Sequence, residues 1–413
     1  MISAKIGSAS GEKIQLTQKI MKAKIFILAT VMLCLPFISK ADTIHNSRVC
    51  TMAKKQGLAS CNARVLTDAK GNFLVSKLPS GFSPSQLRSA YSLSGRATTN
   101  PIVAIVDAYD DPTIKNDLDV YSRQFGLPIL PDCKTAINNS SVSCFAKQNQ
   151  RGKTALPKSN GGWAVEIALD VEAVHAVCEN CSILLVEATS PNLNNLLMSV
   201  DVAVKTGATA VSNSYGGPEF SQETQFDSHF KHPGIAFTVS SGDSGYGVQY
   251  PAASPYITAV GGTSLHLSSG GKYQNEEAWS GAGSGCSQFE PKPSWQTDIK
   301  CQGRTVADVS AVADPATGLA IYTTTSPKNQ KGWFTVGGTS LAAPVIAAVY
   351  ALSGKVDNNT SANSLPYSQG TKFNLHDVVG GSNGDCSPAY LCTGKTKYDG
   401  PTGLGSPKGT GAF

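Results

Sequence analysis

A chain of 413 residues with 41% hydrophobic and only 15% charged residues can bury one large core or two medium ones, a profile that suits a secreted enzyme and excludes a disordered protein. The formal charge of +5 invites a polyanion partner, but nine Lys/Arg against two acids fall in positions 1–60, and positions 61–413 hold 25 basic and 27 acidic residues. Nucleic-acid binding therefore has no support from charge.

The chain opens with a targeting pattern. Met21-Lys22-Ala23-Lys24 is followed by the apolar run Ile25 to Ile38 and by Ser39-Lys40-Ala41, which predicts a signal peptide over 1–41, with Met21 as an alternative start. The run is too short to cross a bilayer comfortably as an anchor, so the expectation is a secreted protein, extracellular or periplasmic, with no membrane anchor after cleavage. Residues 42–85 are polar and read as a short propeptide or N-terminal extension, and 86–413 as the functional domain.

Ser85 to Tyr91 predicts a capped helix, and Ile102 to Asp107 a fully buried strand. Further buried strands are expected at Ser182–Glu187, Ala208–Ser212 and Ile235–Ser240, separated by helices over 162–177 and 192–206. This alternation predicts an α/β fold with a mostly parallel central sheet flanked by helices, its active groups at the carboxyl ends of the strands. Outside the signal segment ten cysteines fall in close pairs, Cys50/Cys61, Cys133/Cys144, Cys178/Cys181, Cys286/Cys301 and Cys386/Cys392. Five local disulfides are the simplest reading, preferred over a zinc site or a redox CxxC at Cys178/Cys181.

The tetrapeptide Gly-Gly-Thr-Ser occurs twice. At Gly261–Ser264 it runs into alternating residues and a double glycine, a strand and turn in which Ser264 is structural. At Gly337–Ser340 it opens the run Leu341 to Leu352, apolar all round as a central helix would be, with Pro344 expected in the first turn. Ser340 is thus the nucleophile candidate, facing the free amides and positive dipole of a helix start.

A serine hydroxyl needs a base. None of the six histidines stands in a catalytic context, and the predicted helix over 162–177 offers instead Glu166 and Asp170, four apart on one face among Ala, Val, Ile and Leu. Two carboxylates in such a setting raise each other's pKa and share a proton at mildly acid pH. Asp243, in Ser241-Gly242-Asp243 after an apolar strand, is a candidate proton-bearing donor to an oxyanion.

Taken in order, Glu166-x-x-x-Asp170, Ser212-Asn213-Ser214-Tyr215-Gly216, Ser241-Gly242-Asp243, Pro251-Ala252-Ala253-Ser254-Pro255, Gly338-Thr339-Ser340-x-x-x-Pro344 and Tyr398-Asp399-Gly400-Pro401-Thr402-Gly403-Leu404-Gly405 resemble the sedolisins, the serine-carboxyl peptidases of the subtilisin-like clan. The resemblance implies a subtilisin-like architecture and an endopeptidase acting on polypeptides as a monomer in acid. Ser340 would be the nucleophile, Glu166 the general base, Asp170 its partner, and Asp243 part of the oxyanion hole. Asp107, at the end of its strand, would extend the carboxylate network or merely cap the strand. The resemblance also implies one structural Ca²⁺ held by Asp377, Val378, Lys395, Lys397 and Asp399, the middle three through backbone carbonyls. The alternatives are a non-catalytic secreted binding protein on the same scaffold, and a lipase or esterase whose Gly-x-Ser-x-Gly elbow is present only in broken form at Gly242–Gly245.

Overall fold

Ile102–Ala108 is apolar at every position but Asp107 and buried throughout, as a central strand of a parallel sheet must be. In the computed structural model, which describes residues 45–359, 361–368 and 370–413, it lies within an eight-stranded sheet. The order is Tyr273–Ala278, Thr258–Leu267, Ala236–Ser240, Ala210–Asn213, Ile102–Ala108, Ser182–Ala188 and Phe145–Asn149, with Val309–Val312 also paired to Thr258–Leu267. All pairings are parallel except that of Tyr273–Ala278. The expected α/β class and mostly parallel sheet are borne out. The predicted signal peptide over 1–41 lies outside the described residues, among which no helix is long and apolar enough to cross a membrane.

Helix α1 (Pro84–Ala90) starts on a Ser83/Gln86 capping box, and α2 spans Ile114–Phe125. Helix α3 (Gly161–Val177) begins where the Asn160 side chain accepts the amides of Gly162 and Trp163, satisfying donors that a helix start otherwise leaves free. α4 (Leu193–Lys205) is capped in the same way by Asn192. α5 (Thr339–Ser353) packs across the strands Ala210–Asn213, Ala236–Ser240 and Val309–Val312, and α3 packs on α5. Neither α3 nor α5 has a polar face, because both are enclosed on nearly every side.

Pro344 corrects one expectation. It is the sixth residue of α5, beyond the first turn, and its missing N–H leaves the carbonyl of Ser340 without a helical donor. The hydroxyl of Ser214, whose shorter bond is to Asp170, lies 3.3 Å from that carbonyl.

The described residues from 45 onward belong to one compact unit, and the expected boundary at 85/86 falls inside α1. The extension joins the domain: Arg64–Thr67 pairs antiparallel with Gly332–Gly337 through Val65–Val336 and Arg64–Gly337, and His45–Arg48 pairs with Arg64–Thr67. Cys61, Ala63 and Val65 belong to the main core. All five expected disulfides form. Ser264 lies in the strand Thr258–Leu267 and its hydroxyl donates to Asp314, a structural role as expected of that copy of the tetrapeptide.

Candidate active site

The polypeptide reaches Ser340 through Gly338, whose φ of 95° and close packing exclude a side chain; a Cβ there would lie 2.0 Å from the carbonyl oxygen of Asn62 and 2.6 Å from Asp243 Oδ2. No side chain of the adjacent residue caps α5. Asp243 does so from a distance, with Oδ1 accepting the Thr339 amide at 2.8 Å and the Thr339 hydroxyl at 2.8 Å. The next amide, that of Ser340, donates to the carbonyl of Asn62 at 3.3 Å. The start of α5 thus presents an amide to the Asn62 carbonyl oxygen, with the Asp243 carboxyl group alongside.

Ser340, Glu166, Asp170 and Asp243 are all buried, and so is Asp107. The fold brings these five sequence candidates to one place. The Ser340 hydroxyl donates to the carbonyl of Ser214 at 3.1 Å, and the Ser214 hydroxyl donates to Asp170 Oδ1 at 2.9 Å. Neither Glu166 oxygen completes a hydrogen bond of normal geometry, yet Ser340 and Asp170 are near enough to act on its titration.

The electrostatics follow from burial without countercharge. Burial, then the charges of Asp170 and Asp107, push Glu166 well above the ordinary carboxyl range. Burial likewise raises Asp170, against the hydrogen bond from Ser214 and the influence of the neighbouring Glu166 carboxyl. Asp107 is raised by burial, then by Asp170 and Glu187, and neither of its oxygens has a partner. The three form a line of carboxyl groups that cannot all be ionised together. Asp243 is raised to about 6 by burial, against Arg48, Thr339 and Arg64, and its Oδ2 has no partner. Among the described residues no hydrogen bond joins a histidine to Ser340, and the ring of His175, at the far end of α3, bonds to the Pro128 carbonyl at 2.9 Å.

Five residues at the site escaped the sequence reading. Ser214 stood in a recognised motif with no role attached. Asn62, Arg48 and Arg64 lay in the segment taken as an extension. Gln249 carried no local signal. Arg64 Nη1 donates to the Asp243 carbonyl and Arg48 Nη2 to the Ser244 hydroxyl, and both cations lie close enough to Asp243 to act on its titration.

Comparison with known proteins supports the fold and identifies the family. The profile of the subtilase family matches residues 154–367, more than half of the chain. The chain belongs to the subtilase family. Within it, the resemblance to the sedolisins is borne out. This subtilase is 29% identical to kumamolisin from Bacillus sp. (strain MN-32) over 84% of its own length, and 26% identical to sedolisin from Pseudomonas sp. (strain 101) over 79%. It spans only 66% and 60% of those two proteins. Among solved structures, Pseudomonas sedolisin, a serine-carboxyl proteinase complexed with pseudo-iodotyrostatin, superposes with a TM-score of 0.65 at 26% identity, covering 80% of this chain and 96% of that one.

The subtilase's C-terminal loop tests the calcium expectation. Lys395 N donates to Asp399 Oδ2 at 2.8 Å, Thr402 N and Oγ1 to Asp399 Oδ1 at 2.9 Å each, and Lys397 N to both oxygens of Asp377 at 3.0 Å. Burial raises Asp399 to about 7, and Asp377 adds a like charge. Neither forms an ion pair with a lysine or arginine among the described residues. Two neighbouring carboxylates without a countercharge, on a loop rich in carbonyls, fit a hard cation. No group of three or more His, Cys, Asp or Glu side chains suited to a metal occurs among the described residues, so backbone carbonyls would have to complete the shell.

Proposed function

We propose that this protein is an exported serine-carboxyl endopeptidase that hydrolyses peptide bonds in acid through an acyl-enzyme on Ser340. The observation that carries the reading is the buried Glu166–Asp170 pair beside Ser340, whose hydroxyl bonds to the Ser214 carbonyl and to no histidine among the described residues. With one proton shared by the pair, Glu166 accepts the Ser340 proton as Oγ attacks the scissile carbonyl, then delivers it to the leaving amine. Water enters by the reverse path and releases the acid. Asp170, fixed by Ser214, tunes and holds Glu166, and Asp107 extends the line of carboxyl groups.

The oxyanion is served by the Ser340 amide and by Asp243, which must carry its proton to donate. A pKa of about 6 supplies that proton in acid. In the C-terminal loop the carboxylates of Asp377 and Asp399 would hold one Ca²⁺ together with the carbonyls of Val378, Lys395 and Lys397. The cation would brace the loop and take no part in the chemistry. Export would follow from the segment 1–41, and the substrates are polypeptides met as a monomer.

A casein digest at about pH 3 to 6, the range in which coupled carboxylates titrate, tests the reading. Ser340→Ala and Glu166→Gln should each lose about a thousandfold or more of the turnover while keeping the native circular dichroism spectrum. Wild-type turnover that survives in either variant defeats the mechanism, and no turnover in the wild type would leave a binding protein on this scaffold.

A further inference from the structure

Glu187 is a buried acid that the proposed chemistry leaves unused. It stands directly opposite Asp107 in the parallel pairing of Ser182–Ala188 with Ile102–Ala108, so the two carboxyl groups leave neighbouring strands, about 4.8 Å apart, on one face of the sheet. Both side chains are closed to solvent. Among the described residues neither Asp107 oxygen has a hydrogen-bond partner, and Oε2 of Glu187 has none either. Asp170 and Glu187 both lie close enough to Asp107 to act on its titration, and Asp107 acts in turn on Glu166. Adjacent buried acids with free oxygens call for a reason beyond packing.

From Glu187 the line of polar groups runs outward. Lys147, two residues before the Asn149 that pairs with Glu187, reaches Glu187 Oε1 at 3.3 Å and forms an ion pair with Asp110. Its ammonium donates to the Asp111 carbonyl at 2.7 Å, and the Asp111 amide donates to Glu187 Oε1 at 3.4 Å. Side-chain exposure rises from 0% at Glu187 to 12% at Asp110 and 15% at Lys147, so the line meets water there. Asp111, with Asp117 near it, faces Lys147 at the same mouth, and Tyr215 faces Asp107.

On the cleft side the Glu166–Asp170 pair is shut in. Residues 60–62 run beside Ser340, with Ser60 paired to Gly216, Cys61 to Tyr215, and the Asn62 carbonyl accepting the Ser340 amide. The Asn62 side chain donates to Ser240 Oγ at 2.9 Å and Gln249 Oε1 at 3.4 Å. A chain lying in the cleft therefore stands between the pair and solvent on that side.

We propose that Asp107 and Glu187 form a proton path that joins the buried Glu166–Asp170 pair to water at Lys147 and Asp110, so that the pair gains and loses protons while the cleft is filled. Its catalytic use rests on the endopeptidase reading. Burial, then Asp170 and Glu187, raise Asp107, and burial raises Glu187 to about 9, against Lys147 and with Asp110; each therefore carries a proton in acid. In the outward step Asp107 receives a proton from Asp170 on one oxygen and passes its own from the other to Glu187. Glu187 passes its own to water at the mouth. Asp107 and Glu187 end with the protons they began with, only O–H bonds change, and one proton has left the pair. The reverse sequence delivers one.

The test follows deuterium uptake by full-length Ser340→Ala mixed rapidly into D2O at about pH 5, read by infrared spectroscopy at the carbonyl stretch of protonated carboxyl groups. The band that a further Glu166→Gln substitution removes reports the pair. It should shift at least about a hundredfold faster than the amides of α3 exchange, because those wait for the fold to open. Glu187→Gln keeps the shape and, in acid, the neutral charge, but its amide holds its protons, and it should slow the shift about tenfold or more. A band that shifts only as fast as the α3 amides overturns the path, and this criterion needs no change at Glu187. An unchanged rate in folded Glu187→Gln overturns it as well; either result leaves the endopeptidase standing. Because the uptake needs no turnover, an inactive wild type removes the endopeptidase reading and leaves the path to be judged on its own rates.

Discussion

Ser214 joins the two ends of the candidate machinery: its hydroxyl donates to Asp170 Oδ1 at 2.9 Å, and its carbonyl accepts the Ser340 hydroxyl at 3.1 Å. One residue thus fixes both the Asp170 carboxyl group and the resting position of the Ser340 hydroxyl. A hydrogen bond to a carboxylate favours its charged form, so the pair owes part of its ability to lose a proton in acid to this contact.

Ser214→Ala should therefore raise the pKa of the Glu166–Asp170 pair. The acid limb of the kcat/KM profile should move to higher pH, with about a tenfold loss at the acid end. The measurement is a pH series on a peptide substrate for wild type and variant. An unmoved acid limb would show that Ser214 acts only in positioning.

In the proposed mechanism Asp243 would set the opposite limb. Burial raises it to about 6, so the protonated, donating form predominates below that pH and is lost above it. Activity should fall as pH rises through about 6. Asp243→Asn keeps a donor that does not titrate and should flatten that limb while lowering the maximum rate. A variant profile that falls at the same pH would assign the limb to another group.

A second carboxyl cluster lies away from Ser340. Glu219, Glu223, Asp227 and Glu290 act on one another, and both Glu290 oxygens are buried without partners. Burial first, then the neighbouring acids, raise Glu290 to about 9; burial raises Glu223 to about 8, against the amide bond from Phe220. Because these folded values exceed the ordinary 4.5, the native state binds more protons than the unfolded chain. The stabilisation is complete below the unfolded value and is lost as pH rises through the folded values. Urea unfolding of Ser340→Ala between about pH 4 and 9 should show stability falling with a slope of up to about 1.4 kcal/mol per pH unit for each proton released. Glu290→Gln should shallow that slope.

Calcium should stabilise the loop that carries Asp377 and Asp399. At a concentration one hundred times its dissociation constant, a ligand bound only by the folded state adds about 2.7 kcal/mol. Thermal melts of Ser340→Ala with Ca²⁺ and with chelator should differ accordingly, and Asp377→Asn or Asp399→Asn should abolish the difference. Equal melting temperatures in the wild-type loop would dismiss the site.

The parts of this protein legible in its sequence are those set by local pattern. The helices over 162–177 and 192–206 appear as α3 and α4 within a residue at each end, because caps and apolar composition act within a turn. The buried strands are found with ends displaced by up to two residues. The five disulfides followed from pairs at most 15 residues apart, and Ser340 was separated from Ser264 by the helix that follows it. Glu166, Asp170 and Asp243 stood out because acids are rare in such apolar or glycine-rich surroundings.

The rest was decided by contacts between residues far apart along the chain. Nothing near position 62 in the sequence indicates that its carbonyl would meet the amide of Ser340, or that Arg48 and Arg64 would lie close to Asp243. Those meetings depend on the strand pairings of residues 58–67 with several separate segments, and such long-range pairing has no local signature. The sequence by itself determined which residues could do the chemistry, because side-chain type and helical spacing are local properties. Only the tertiary structure decided how far their protons are held and what occupies the cleft, because burial and strand docking are properties of the whole fold.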